Sequence, residues 1–231
     1  MVSEARGVIR LAPEFSHPDT VLHLEEFSHL WVVYLFHKNQ SSETEFKWSP
    51  TIQPPRIDAP KKVGVFASRS PHRPNPIGLS VVKLEKINIH ASGGIEIEVS
   101  GVDILDGSPV IDLKPYLPYA DIVSDATNGW IKNEINRYLV IFSEEALRVI
   151  EQESTKSLHL QKCDLKKLIT EMLEWDPRPR SQREMAPVED PLNQRKKFAF
   201  RLMDLDVHWI IDERDAQPCF KVISILIIPV V

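Results

Sequence analysis

Ile95-Glu96-Ile97-Glu98-Val99-Ser100 alternates apolar and polar side chains without a break, the period-two pattern of a strand with one face in a core and one toward solvent. Ahead of it, Leu79 to Ile89 reads as a longer strand, and His90-Ala91-Ser92-Gly93-Gly94 as the turn between the two. Together they predict a β-hairpin. Behind it, Asp106-Gly107-Ser108-Pro109 is a second turn and Val110 to Leu113 a further strand. Strands joined this closely, with no helix between them, predict an antiparallel meander in a sheet or barrel.

Working outward, Val63 to Phe66 reads as a short strand. His29 to Phe36 (HLWVVYLF) is a continuous apolar and aromatic run, the pattern of a strand covered on both faces. Between them, Asn39 to Lys62 is polar and holds Pro50, Pro54, Pro55 and Pro60, which exclude regular helix or central strand. A loop of that length is functional or mobile. The character changes near residue 143. Ser143 is placed to cap a helix from Glu144 to Glu151, with Phe142 set to staple onto Leu147. A second helix begins after Asp164 with Leu165, Leu168, Ile169, Met172 and Leu173 on one face, and Asp176-Pro177-Arg178-Pro179 stops it. Arg201 to Ile211 and Phe220 to Ile228 predict a closing hairpin around a charged turn. The expected organisation is mainly β with a small α+β part: a β-rich domain over 1–142 and an α+β domain over 143–231.

The 231 residues are 42% hydrophobic, enough for one large core or a core plus a satellite domain. With 26% charged residues and a net charge of −5, the overall balance does not advertise nucleic-acid binding, so any RNA site must be a local patch. Cys163 and Cys219 are far apart in sequence and form no metal or disulfide framework, which fits a reducing compartment. Met1 to Arg6 carries charge ahead of any apolar run and does not read as a signal peptide. Val222 to Val231 is too short to span a bilayer and reads as a buried strand. The expected location is the cytoplasm, with no membrane attachment. His29 and His37 have no partner at ligand spacing, so no metal is expected.

The stretch GVFASRSPHRPNPIG, Gly64 to Gly78, sets Arg69, Arg73 and Asn75 among three prolines between two strands. Prolines fix the backbone and glycines admit a close approach, so these side chains are held in place. Such a loop serves binding, or else it is structural and its arginines pair with surface acids. Asp176 to Lys197 gathers Arg178, Arg180, Arg183, Arg195, Lys196 and Lys197, a strip for RNA phosphates or a solvated loop diluted by Glu184, Glu189 and Asp190.

GVFASRSPHRPNPIG, with FSHLWVVYLFH at Phe27 to His37, GVDILDGSPVIDLKPYLPYAD at Gly101 to Asp121 and DPRPR at Asp176 to Arg180, resembles the TsaA-like family, and within it the TrmO-type tRNA N6-methyltransferases. The resemblance covers nearly the whole chain. It implies an antiparallel β-barrel with a small C-terminal domain, S-adenosylmethionine bound near a homodimer interface, and methylation of N6-threonylcarbamoyladenosine at position 37 of threonine tRNAs. The family's cofactor contacts fall on His37, Lys38, Arg69, Leu79, Ser100, Gly101, Val102 and Asp103, with Lys38 standing where the family usually has glutamine. Arg73, Asn75, Arg178 and Arg180 are the tRNA candidates. Asp103 and Asp106 would face opposite ways on a regular strand; Asp103 is assigned to the cofactor and Asp106 to capping its own Asp-Gly turn. No spacing singles out a proton acceptor. The resemblance also implies a first strand and a proline- and glutamine-containing loop ahead of Met1, roughly twenty-five residues. The competing expectation is therefore a TsaA-like protein that binds tRNA or a partner without transferring methyl groups.

Overall fold

The computed structural model describes residues 2–39, 48–55, 59–131, 136–156 and 163–228. They belong to two units, Met1–Pro54 with Asp58–Lys132, and Pro55–Ile57 with Asn133–Val231.

The first unit is built on a five-stranded antiparallel sheet in the order β1-β6-β5-β2-β7. Its strands are β1 (Arg6–Arg10), β2 (His29–Leu35), β5 (Ile77–Asn88), β6 (Glu96–Ser100) and β7 (Val110–Pro115), with β3 (Thr51–Ile52) and β4 (Val63–Gly64) forming a separate small pair and α1 (Pro118–Asp121) following β7. The expected hairpin is β5–β6, in which Ile97 stands opposite Ile87. Ile95, Ile97 and Val99 enter a core with Leu30, Val32, Tyr34 and Val82. Gly94, at φ +106, closes the turn where an added Cβ would meet the Ser16 hydroxyl.

Several expectations change. The strand expected over Val63 to Phe66 stops at Gly64 and gives way to a 3-10 turn at Val65–Ala67. β2 is not covered on both faces: Leu30, Val32 and Tyr34 are buried, while Trp31, Val33 and Leu35 stay half-exposed. These three stand opposite Val81, Leu79 and Ile77 of β5, so the sheet's outer face carries three directly opposed apolar pairs. The expected barrel does not close among the described residues, since β1 and β7 are the two sheet edges with no ladder joining them. The inner face is covered in part by the segment after β1, whose Leu11, Val21 and Leu24 pack into the core, and so does not depend on closure alone.

In the second unit β8 (Leu139–Phe142), β9 (Lys197–Leu202), β10 (Leu205–Arg214) and β11 (Gln217–Ile227) form a sheet in the order β8-β11-β10-β9. β8 runs parallel to β11, and the other pairs are antiparallel. Leu139–Phe142, placed by the sequence in the first domain, thus belongs to this sheet. The helices are α2 (Glu144–Lys156), α3 (Leu165–Leu173) and α4 (Arg180–Met185). Ser143 Oγ accepts the Ala146 N–H at 3.1 Å and Asp164 Oδ1 the Lys167 N–H at 2.9 Å, satisfying amides at two helix starts. Leu165, Ile169 and Leu173 of α3 and Ala146 and Ile150 of α2 pack on Val207, Trp209, Ile211, Phe220 and Val222. The strand expected over Arg201 to Ile211 is broken at Met203, whose φ of +55 turns the chain without a glycine.

Candidate functional site

A cavity of about 210 Å³ opens where β2 ends and the 3-10 turn His37–Asn39 begins. Tyr34, Phe36, His37, Lys38 and Asn39 line it from this end, Pro71 from the loop between β4 and β5, and Asp103, Leu105 and Ser108 from the segment after β6. Apolar walls and a few convergent polar groups of both signs are the makeup of a small-molecule site. His37 Nδ1 lies 3.3 Å from the Ser108 hydroxyl.

Beside the cavity, β2 and β5 approach closely because of one glycine. Tyr34 on β2 stands opposite Gly78 on β5, and its ring lies where a Cβ at Gly78 would be. The ring packs edge-on against Phe36, centroids 5.3 Å apart. Its hydroxyl is 3.4 Å from Ser80 Oγ, and Ser80 donates to Asp103 Oδ1 at 2.6 Å.

The loop over 64–78 is held by its own side chains and by Trp130. Ser68 Oγ donates to the Val65 carbonyl at 2.8 Å, Arg73 Nη1 to the Ser68 carbonyl at 3.2 Å, and Trp130 Nε1 to the Ala67 carbonyl at 2.8 Å. Arg69 Nη2 donates to the Leu79 carbonyl at 2.7 Å. Neither arginine pairs with an acid among the described residues; both donate to backbone carbonyls in or beside the loop. Arg69 and Asn75 are exposed.

Of the four residues from Ser100 to Asp103, Asp103 alone lines the cavity. Ser100 is buried and gives its hydroxyl to Glu85 at 2.6 Å; that bond, with Lys83 and Arg6 nearby, holds the Glu85 carboxyl below its usual range although burial opposes it. Gly101 turns the chain at φ +75, and Val102 packs toward the core. Leu79 keeps an exposed side chain on the outer face and offers Arg69 its carbonyl. The structure thus gathers His37, Lys38 and Asp103 in one cavity and links Arg69 to Leu79. Asp106 makes no hydrogen bond to its turn among the described residues; the Ser108 N–H closes it on the Leu105 carbonyl at 3.1 Å. Tyr34, Ser80 and Leu105 went unnoticed in the sequence. The first two sit on buried strand positions, which periodicity reads as core.

The basic strip of the second unit divides. Arg178 is not on the surface: its guanidinium forms a two-pronged pair with Asp176, both contacts 2.7 Å, donates to the Ala186 carbonyl at 2.7 Å and lies 4.9 Å over Phe198. At 4% exposure it is withdrawn from phosphate contact. Arg180 pairs with Glu184 at 2.7 Å, while Arg195, Lys196 and Lys197 are exposed. Among the described residues no three His, Cys, Asp or Glu side chains gather as metal ligands, and no helix is long and apolar enough to cross a membrane.

Residues 1–122 match the model of the tRNA-methyltransferase O N-terminal domain, and residues 136–225 that of the TrmO C-terminal domain. The chain belongs to the tRNA-methyltransferase O family. Among TrmO relatives, the tRNA (adenine(37)-N6)-methyltransferase of Escherichia coli K12 is 34% identical over 92% of this chain and 84% of its own length. A Pseudomonas aeruginosa relative whose name refers to an S-adenosylmethionine-dependent methyltransferase is 38% identical over 89% and 80%. The crystal structure of TrmO from Pseudomonas aeruginosa superposes with a TM-score of 0.69 at 32% identity, covering 97% of this chain and 86% of that one.

Proposed function

We propose that this chain transfers a methyl group from S-adenosylmethionine to N6 of adenosine 37 in tRNA, and that the adenosine is the threonylcarbamoylated form found in threonine tRNAs. The observation that carries the reading is the convergence of His37, Lys38 and Asp103 in one cavity beside the stiffened loop over 64–78, in a chain that matches both domains of the family. The cofactor supplies an electrophilic methyl on a sulfonium centre. The cavity residues suit it: the Lys38 ammonium complements its carboxylate, the Asp103 carboxylate accepts from its donor groups, and Phe36 and Leu105 provide an apolar wall. Arg69, which is not in the cavity lining and donates to the Leu79 carbonyl, is assigned to the same carboxylate.

A direct displacement needs no covalent help from the protein, so holding donor and acceptor in line supplies most of what the chain contributes. That places a premium on rigidity around the cavity. The hydrogen bonds of Ser68, Arg69, Arg73 and Trp130 give it. Arg73 and Asn75 on this loop, and the exposed Arg195, Lys196 and Lys197, are the groups we assign to the RNA, the last three as phosphate contacts. The outer sheet face, where Ile77 and Leu79 are each 46% exposed beside Val33 and Leu35, supports a homodimer that covers it. The reaction is assigned to the cytoplasm.

Calorimetric titration with S-adenosylmethionine, followed by transfer assays on tRNA, tests the reading. The protein binds the cofactor, and Arg69→Ala lowers kcat/KM on the order of 100-fold by removing a charged group and unlocking its loop. A protein that binds tRNA but no cofactor at millimolar concentration is not a methyltransferase.

A further inference from the structure

Tyr34 and Ser80 are each 5% exposed, yet both direct hydroxyl groups along one line that ends at a carboxylate in the cavity. The Ser80 contact to Asp103, at 2.6 Å, is a short charge-assisted hydrogen bond in which serine must donate, because an ionised carboxylate only accepts. The single Ser80 proton is then committed, and at 3.4 Å the Tyr34 hydroxyl can only be the donor to Ser80. The direction of the chain is fixed: Tyr34 to Ser80 to Asp103. Asp103 Oδ2 has no hydrogen-bond partner among the described residues.

The arrangement is specific to this place in the sheet. Gly78 and Ser80 occupy the same inward face of β5, opposite Tyr34 and Val32. The missing side chain at Gly78 lets the ring lie flat across the strand, which carries the phenol hydroxyl toward Ser80. An aliphatic residue at either position 34 or 80 would fill a core as well. Two hydroxyls are buried where burial alone would favour apolar groups, and the line they form ends at one oxygen of a cavity carboxylate.

We infer that Tyr34 and Ser80 are positioning residues for the cofactor: they hold the Asp103 carboxylate oriented so that Oδ2 faces a donor group of bound S-adenosylmethionine. The inference rests on the proposed function and concerns the two hydroxyl groups, which act on the cofactor through Asp103. Asp103 itself is on an irregular segment with an exposed side chain, so a free carboxylate there would sample several rotamers. Binding would then carry the entropy of fixing it. A preset carboxylate avoids that cost.

A double-mutant cycle on cofactor affinity tests this, with Kd for S-adenosylmethionine read by calorimetry on the full chain. Ser80→Ala weakens binding about tenfold alone and has no further effect in the Asp103→Ala background; coupling of this size is usual for contacting residues. Tyr34→Phe, which keeps the ring and loses only the hydroxyl, weakens binding about threefold with the same dependence on Asp103. Equal losses with and without Asp103 would mean a purely structural role and would overturn the inference, as would an unchanged Kd in both variants. If the unsubstituted protein binds no cofactor, it is the proposed function that fails.

Discussion

Arg178 directs three guanidinium nitrogens inward, two to Asp176 and one to the Ala186 carbonyl, against a face of Phe198. Removing it would leave the Asp176 carboxylate, 8% exposed, without its counter-charge. Arg178→Ala should therefore destabilise the second unit by about 3–5 kcal/mol, the usual cost of breaking a buried pair from one side. Chemical denaturation reads it, and an unchanged midpoint would return Arg178 to the surface role the sequence suggested. Tyr138 is a second informative residue. Burial, and then the hydrogen bond it donates to Glu189 at 2.7 Å, push its phenol from 10.0 up to about 12. The folded state thus favours the neutral phenol: its contribution to stability is fully present below pH 10 and is lost as pH rises through about 12. A phenolate absorbance titration should show one tyrosine ionising near that upper value, moved down by Glu189→Gln; a midpoint at the ordinary value would remove the effect.

Among the elements, β5 matters most to the site, because it offers Gly78 and Ser80 on one face and the Leu79 carbonyl between them. Gly78→Ala forces the Tyr34 ring off the strand, and overpacking of this kind costs about 1–3 kcal/mol. It should lower the thermal midpoint and weaken cofactor binding together; a neutral substitution would show that the ring has room to move. β5 and β6 were legible in the sequence because their period is set by the core they face, whereas β2 was legible as a strand but its unbroken apolar run hid which face is buried. β1 was not, since Arg6-Gly7-Val8-Ile9-Arg10 holds only two large apolar residues and forms as a strand by pairing with the edge of β6. The β9–β10 turn was missed for another reason. Met203 takes a left-handed conformation usually marked by glycine or asparagine, so local chemistry gave no stop signal. At the site, charged residues beside the signature loop could be read from the family pattern, but which of them share a cavity depends on the Gly101 turn after β6 and on registers no spacing reveals.

At the level of the whole molecule, a chain of net charge −5 is assigned to tRNA, so its RNA contacts must be local. The first unit contributes the cavity and the stiff loop, and the second a folded core whose exposed Arg195, Lys196 and Lys197 are the remaining cations of its strip. Affinity for tRNA should accordingly fall with added salt, while affinity for the cofactor, bound in a cavity, should change little. The most direct measurement of the central claim is incubation of the protein with isotope-labelled S-adenosylmethionine and threonine tRNA, with and without prior threonylcarbamoylation, followed by mass spectrometry of the digested nucleosides. The account predicts one labelled methyl on N6 of threonylcarbamoyladenosine 37 and none on the unmodified tRNA. Absence of label from both, with a folded protein that binds tRNA, would contradict it.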